Sequence, residues 1–192
     1  NYFVRKAYGK YLVAAERWEG RLRINIISDD TAKTEVQLKY VLSDFDGNVL
    51  RIDSGKVNVG NVRGVTAFNA PYKEFVSNTY YPTSFLKTEI SKDGKLLSEN
   101  VYYFNRPNGL LLKKEKINSE LAPAGKNQFM LTLSCQTLSK NVFIDFGETK
   151  VSLSDNYFDI LPKEEKTITI FSDAPLNELQ QNIKLKSLVD TY

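Results

Sequence analysis

The chain has no histidine and a single cysteine among its 192 residues. That removes Ser-His-Asp and Cys-His nucleophile pairs and histidine metal sites together. Oxygen-bearing side chains and aromatic rings are left to do chemistry. Asp155, Asn156 and Asp159 form the densest oxygen cluster, and with backbone carbonyls they could coordinate Ca²⁺. Asp and Asn at such density also hydrogen-bond local backbone and build turns. The turn reading is preferred, and no metal or other cofactor is expected. Asp44, Asp46 and Asn48 stand at the first three ligand positions of a Ca²⁺ loop around Gly47, yet its twelfth position is Gly55 rather than a ligating Glu. A hairpin turn is therefore expected there. Trp18, Tyr72, Tyr80 and Tyr81 could form an aromatic platform that stacks on sugar faces; the competing reading is core or interdomain packing, where rings bury most area. Cys135 ends the alternating run Phe129-Met130-Leu131-Thr132-Leu133-Ser134-Cys135, a place for an inert sheet thiol rather than a reactive one.

Charge narrows the partners. Lys and Arg total 26 against 23 Asp and Glu, a net of +3 with the signs interspersed, which is no nucleic-acid footprint. The run Lys113-Lys114-Glu115-Lys116 is too short to change that. No segment reaches the ~18 consecutive apolar residues of a membrane helix, so neither nucleic acid nor membrane is an expected partner. Eleven Tyr and eleven Phe against one Met suit pleated surfaces better than helices.

The elements that must position these residues read as strands. Tyr11–Ala15 is a first candidate, Glu19-Gly20 turns, and Arg21 to Ile26 alternates polar and apolar as a strand with one wet face does. Val36, Leu38, Tyr40 and Leu42 line one face of a third strand, Asp46-Gly47-Asn48 supplies hairpin chemistry, and Val49 to Val59 continues. Val65 to Phe68 makes a strand among loops rich in Pro and rings. Phe85 to Ile90 and Leu96 to Phe104 close a hairpin through Lys92-Asp93-Gly94-Lys95. Pro107-Asn108-Gly109 ends that strand, with Gly109 free to take positive φ. The same grammar then restarts with Ile117–Leu121, Gln128–Cys135, Val142/Ile144/Phe146 and Thr167–Phe171, followed by a helical turn within Pro175–Gln181 and a last strand at Ile183–Leu188. Strands every 8 to 12 residues with turn signals between them predict an all-β chain of two immunoglobulin-like antiparallel β-sandwiches in tandem, over residues 10–107 and 108–192. Val4, Ala7 and Tyr8 at helical spacing before Gly9 predict a short helix over residues 1–9, a remnant of a preceding domain. A start at Asn1 rather than Met is expected of a piece of a longer polypeptide.

Several segments in this order resemble the C-terminal region of family 2 glycoside hydrolases, in the β-mannosidase-like branch. Tyr2-Phe3-Val4-Arg5-Lys6-Ala7-Tyr8 resembles the end of that family's (β/α)8 barrel, and Trp18-Glu19-Gly20 with Ser28-Asp29-Asp30 the start of the sandwich that follows it. Leu97 to Phe104 is similar to that sandwich's end. Ser154-Asp155-Asn156-Tyr157-Phe158-Asp159-Ile160-Leu161-Pro162, with Glu164 to Ile170, is similar to the last immunoglobulin-like domain of β-mannosidases. The resemblance implies an accessory role: the acid/base and nucleophile glutamates of that family lie in the barrel, so no catalytic residue is assigned here, and the parent's barrel is the expected partner, with oligosaccharide as a second. Two other readings are an independent carbohydrate-binding module and a cell-surface adhesion or scaffolding sandwich. How such enzymes meet polysaccharide implies a periplasmic or extracellular parent.

Overall fold

In the computed structural model, residues 9–60 and 64–191 are described; the helix expected over 1–9 falls almost wholly outside them. They divide into two compact units, one holding residues 9–44 and 48–111, the other 45–47 and 112–191.

The first unit is a β-sandwich. One sheet holds β1 (Tyr11–Trp18), β2 (Arg21–Ser28) and β5 (Gly64–Pro71) in the order β1-β2-β5; the other orders β3 (Thr34–Asp44), β4 (Val49–Val59), β6 (Ser84–Lys92) and β7 (Lys95–Tyr103) as β4-β3-β6-β7. All pairings are antiparallel. The predicted alternation is what fills the space between the sheets. Leu22, Ile24 and Ile26 of β2 are buried facing Val36, Leu38, Tyr40 and Leu42 of β3 and Leu86 and Ile90 of β6. The hairpins turn where the sequence predicts, at Glu19-Gly20 and Asp93-Gly94, each with two successive positive φ values, the backbone that matches strand twist. Between β5 and β6 the chain forms a one-turn helix α1 (Tyr72–Phe75) and a 3₁₀ turn at Asn78–Tyr80 rather than open loop.

The second unit repeats the plan. One sheet orders β8 (Asn118–Gly125), β9 (Gln128–Ser134), β11 (Ser152–Leu153) and β13 (Glu165–Phe171) as β11-β13-β9-β8; the other orders β10 (Ser139–Asp145), β12 (Phe158–Ile160) and β14 (Lys184–Lys186) as β12-β10-β14. Helix α2 (Leu176–Asn182) seals one end through Leu179. The predicted faces Phe129/Leu131/Leu133/Cys135 and Val142/Ile144/Phe146 are all buried.

Two expectations need correction. The last strand covers three residues, because the chain leaves the sheet at Ser187, whose N–H and hydroxyl both donate to Asp190 Oδ2, and enters a 3₁₀ turn. Pro107-Asn108-Gly109 is also a 3₁₀ turn, in which Gly109 is absent from the positive-φ residues. A Cβ at Gly109 would sit 2.7 Å from Asn105 Nδ2, so a larger residue there would displace the Asn105 side chain.

Gly60 and Gly20 make a paired test of backbone constraint. At Gly60, φ is +94° and a Cβ would lie 2.2 Å from the Ala32 carbonyl oxygen; at Gly20, φ is +75° with open space around it. Gly20→Ala should lose only the left-handed preference, about 1–2 kcal/mol, whereas Gly60→Ala should lose about 3 kcal/mol or more because backbone must move. Urea denaturation of the two variants checks the order.

Candidate functional site

The aromatic residues singled out from the sequence separate into two environments. Tyr72 opens α1 and is 1% exposed. Its N–H donates to the Gly20 carbonyl, which pins the helix to the β1–β2 turn, and its ring meets Tyr81 and Phe104 edge-on at 5.4 and 5.7 Å. Its hydroxyl lies 3.2 Å from that of Tyr102, and the Arg17 guanidinium rests 4.5 Å from the ring centroid. Burial first, then the Tyr102 hydrogen bond, pushes its phenol well above the ordinary value. Tyr81 stacks on Phe104 at 6.3 Å. These two rings are packing residues, and the four candidates do not form one platform. Tyr80, in the 3₁₀ turn, is 41% exposed, and its carbonyl accepts from Ser84.

Trp18 lies on the outward face of the β1-β2-β5 sheet. Inward residues of β1 and β2 are Val13, Leu22, Ile24 and Ile26, so the alternate positions Glu16, Trp18, Arg21, Arg23 and Asn25 point outward. Register sets Trp18 opposite Arg21, Glu16 opposite Arg23, and Arg23 opposite Asn69 on β5. A polar ladder crosses all three strands: Asn25 Nδ2 donates to Glu16 Oε1 at 2.6 Å, Thr66 Oγ1 to Asn25 Oδ1 at 2.8 Å, and Arg21 Nε to Asn69 Oδ1 at 2.6 Å. Arg23 sits 5.9 Å from the Trp18 ring, which remains 51% exposed. Of this face, the sequence singles out Trp18 alone; the polar half of the Arg21–Ile26 alternation is the signal for the arginines and Asn25, and only strand pairing brings in Asn69 and Thr66.

The oxygen cluster of the second unit is engaged by protein groups. Asn156, 9% exposed, accepts from Ile144 N and Tyr157 N through Oδ1 and donates to Ile144 O through Nδ2, all within 3.0 Å. Asp155 pairs with Lys166 at 3.0 Å, and Asp159 takes Lys140 at 3.1 Å and the Asn141 N–H at 2.8 Å. Asp44 receives Asn48 N and Nδ2, closing the β3–β4 hairpin, and Asp46 receives Lys113. Among the described residues, no group of three acidic or cysteine side chains is placed to hold a metal ion. Cys135 is buried against the Ile160 carbonyl at 3.4 Å, and burial pushes its thiol up, away from a reactive thiolate.

Residues 20–107 match the model of the Mannosidase Ig/CBM-like domain, and residues 112–191 that of the Ig-fold domain of mannosidases. The chain is a tandem of mannosidase-type immunoglobulin-like domains. No curated protein matches this mannosidase-type chain in sequence. Among solved structures, it superposes on β-D-mannosidase from Dictyoglomus thermophilum with a TM-score of 0.75 at 19% identity, covering 97% of this chain and 22% of that one. It superposes on the exo-chitosanase CsxA of Amycolatopsis orientalis with a TM-score of 0.57 at 14% identity, covering 97% and 26%. The mannosidase-type tandem thus spans about a quarter of the length of the proteins it resembles.

The two aromatic environments should separate by stability. Tyr72→Ala should lose about 3–5 kcal/mol, the cost of emptying a large ring's place in a core, and Trp18→Ala about 0.5 kcal/mol or less, as for an exposed residue; urea midpoints measure both. Asn156→Ala leaves the Ile144 N–H and C=O without their partner and should cost about 1–3 kcal/mol, with amide hydrogen exchange accelerated at Ile144 first.

Proposed function

We propose that this chain is the C-terminal accessory region of a β-mannosidase-like family 2 glycoside hydrolase, packing on the parent's (β/α)8 barrel and leaving hydrolysis to carboxylates carried there. The observation that carries the reading is the succession along one chain of two mannosidase-type domains, a pair whose fold covers 97% of this chain and 22% of a β-D-mannosidase.

The electrostatics support it. A retaining glycosidase uses two carboxyl groups ~5–5.5 Å apart, one of them kept protonated by a raised pKa. In this chain Asp53 and Asp190 are shifted the other way. The Tyr40 hydroxyl and the Ser54 N–H hold Asp53 below the usual carboxylate range, and the Ser187 N–H and Lys114 hold Asp190 there. Asp155 and Asp159 are each paired with a lysine. These four carboxylates serve as hydrogen-bond and ion-pair acceptors. The parent belongs outside the cytoplasm, periplasmic or extracellular, where polysaccharide is met.

Two measurements test the reading. The chain alone should release no aryl alcohol from an aryl β-mannoside above the buffer rate; turnover abolished by a carboxylate-to-amide substitution would overturn it. Added to a β-mannosidase fragment that ends at its barrel, the chain should raise that fragment's melting temperature in a scanning fluorimetry titration, and a flat response argues against packing.

A further inference from the structure

We propose that the outward face of the β1-β2-β5 sheet is an oligosaccharide-binding surface, with Trp18 as the stacking ring and Glu16, Arg21, Arg23, Asn25 and Asn69 as the groups that recognise hydroxyls. The assignment stands apart from the accessory-region reading and uses it only to choose the probe.

A pyranose presents an apolar C–H face and a rim of hydroxyls that both donate and accept. This sheet face has the complementary layout. Trp18 is the chain's single tryptophan and is half exposed, with Arg23 beside its ring. One strand and two strands away stand acceptors and donors of both kinds, spaced at the ~4.7–4.9 Å of neighbouring strands. They are already ordered: the Glu16–Asn25–Thr66 and Arg21–Asn69 hydrogen bonds fix four of them across three strands, so little rotamer freedom remains to be lost on binding. Capacity is left over as well. Arg21 uses two of a guanidinium's five N–H donors on Asn69, and Glu16 retains a second carboxylate oxygen.

The same chemistry selects against other occupants. An apolar protein surface laid on this face would desolvate two arginines, a glutamate and two amides without pairing them. A polyphosphate backbone would meet Glu16 in the middle of the array, where like charge repels it. A neutral polyhydroxylated ligand exchanges water contacts for equivalent hydroxyl contacts and gains the ring.

With one tryptophan, intrinsic emission reports on this face alone. Titration with β-1,4-mannohexaose, and with cellohexaose beside it, should shift or quench that emission saturably, in step with calorimetric heat at micromolar to millimolar strength. Trp18→Ala should abolish the heat, and Asn69→Ala should weaken binding about fivefold, the loss of one hydrogen bond, while both keep the parent's urea midpoint within error. Heat without any change in emission places sugar elsewhere and overturns the proposal. Silence in both signals overturns it, as does emission that follows protein concentration instead of sugar, which would make the face a contact between copies. Turnover of an aryl β-mannoside would sink the accessory reading and leave this one untouched; silence toward sugar does the reverse.

Discussion

The period-two alternation of β2 is the constraint on which the first sandwich depends. Leu22, Ile24 and Ile26 are buried to within 1% and form one wall of the core, while Arg21, Arg23 and Asn25 between them supply the middle row of the polar face. β2 lies between β1 and β5, so its register sets what both neighbours present. A slip of one residue would drive two arginines into the space between the sheets and expose three aliphatic side chains. Core and surface are thus specified by the same pairings, Trp18 with Arg21 and Arg23 with Asn69, so a change of register would rearrange both.

Much of this was legible in the sequence because strand periodicity is local. The buried face of β3 and the two positive-φ hairpins follow from alternation and from dipeptides such as Glu19-Gly20 and Asp93-Gly94. What was not legible depends on distant residues. Tyr72 and Trp18 both flank turns and look alike locally, yet Tyr72 is drawn under Arg17 and against Phe104, 32 residues away, while Trp18 is turned out by strand parity. The Pro107-Asn108-Gly109 segment misleads for a related reason. The dipeptide Asn-Gly is as compatible with a 3₁₀ turn as with positive φ, and the Asn105 side chain decides between them by donating to the Gly109 carbonyl.

The second sandwich solves a different problem with Asn156. Tyr157 takes φ +61°, a conformation that costs a bulky residue free energy and is kept only where the surroundings fix it. Asn156 is that fixture: its amide substitutes for a strand partner by satisfying both backbone groups of Ile144. The ring of Tyr157 then stacks on Phe143 at 4.9 Å. A cluster whose oxygen density in the sequence suits a turn or a cation is, in the fold, a backbone clamp between two lysine ion pairs. Side-chain type was informative there about oxygen density, and uninformative about which hydrogen-bond donors would arrive from β10 and β13.

One carboxylate in each sandwich is shifted in the same direction by the donors around it. Hydrogen bonds to carboxylates, from Tyr40 to Asp53 and from Ser187 to Asp190, stabilise the ionised form and lower the pKa. The same contact acts oppositely on its other partner: burial and the Asp53 carboxylate push the Tyr40 phenol up to about 12. In each pair the carboxylate is held as the acceptor and the hydroxyl or N–H as the donor. The contact thus fixes the direction of each hydrogen bond, with the shared proton on the donor side. In the first sandwich it ties neighbouring strands together across the sheet, Tyr40 on β3 to Asp53 on β4; in the second it closes the turn that ends β14, Ser187 to Asp190.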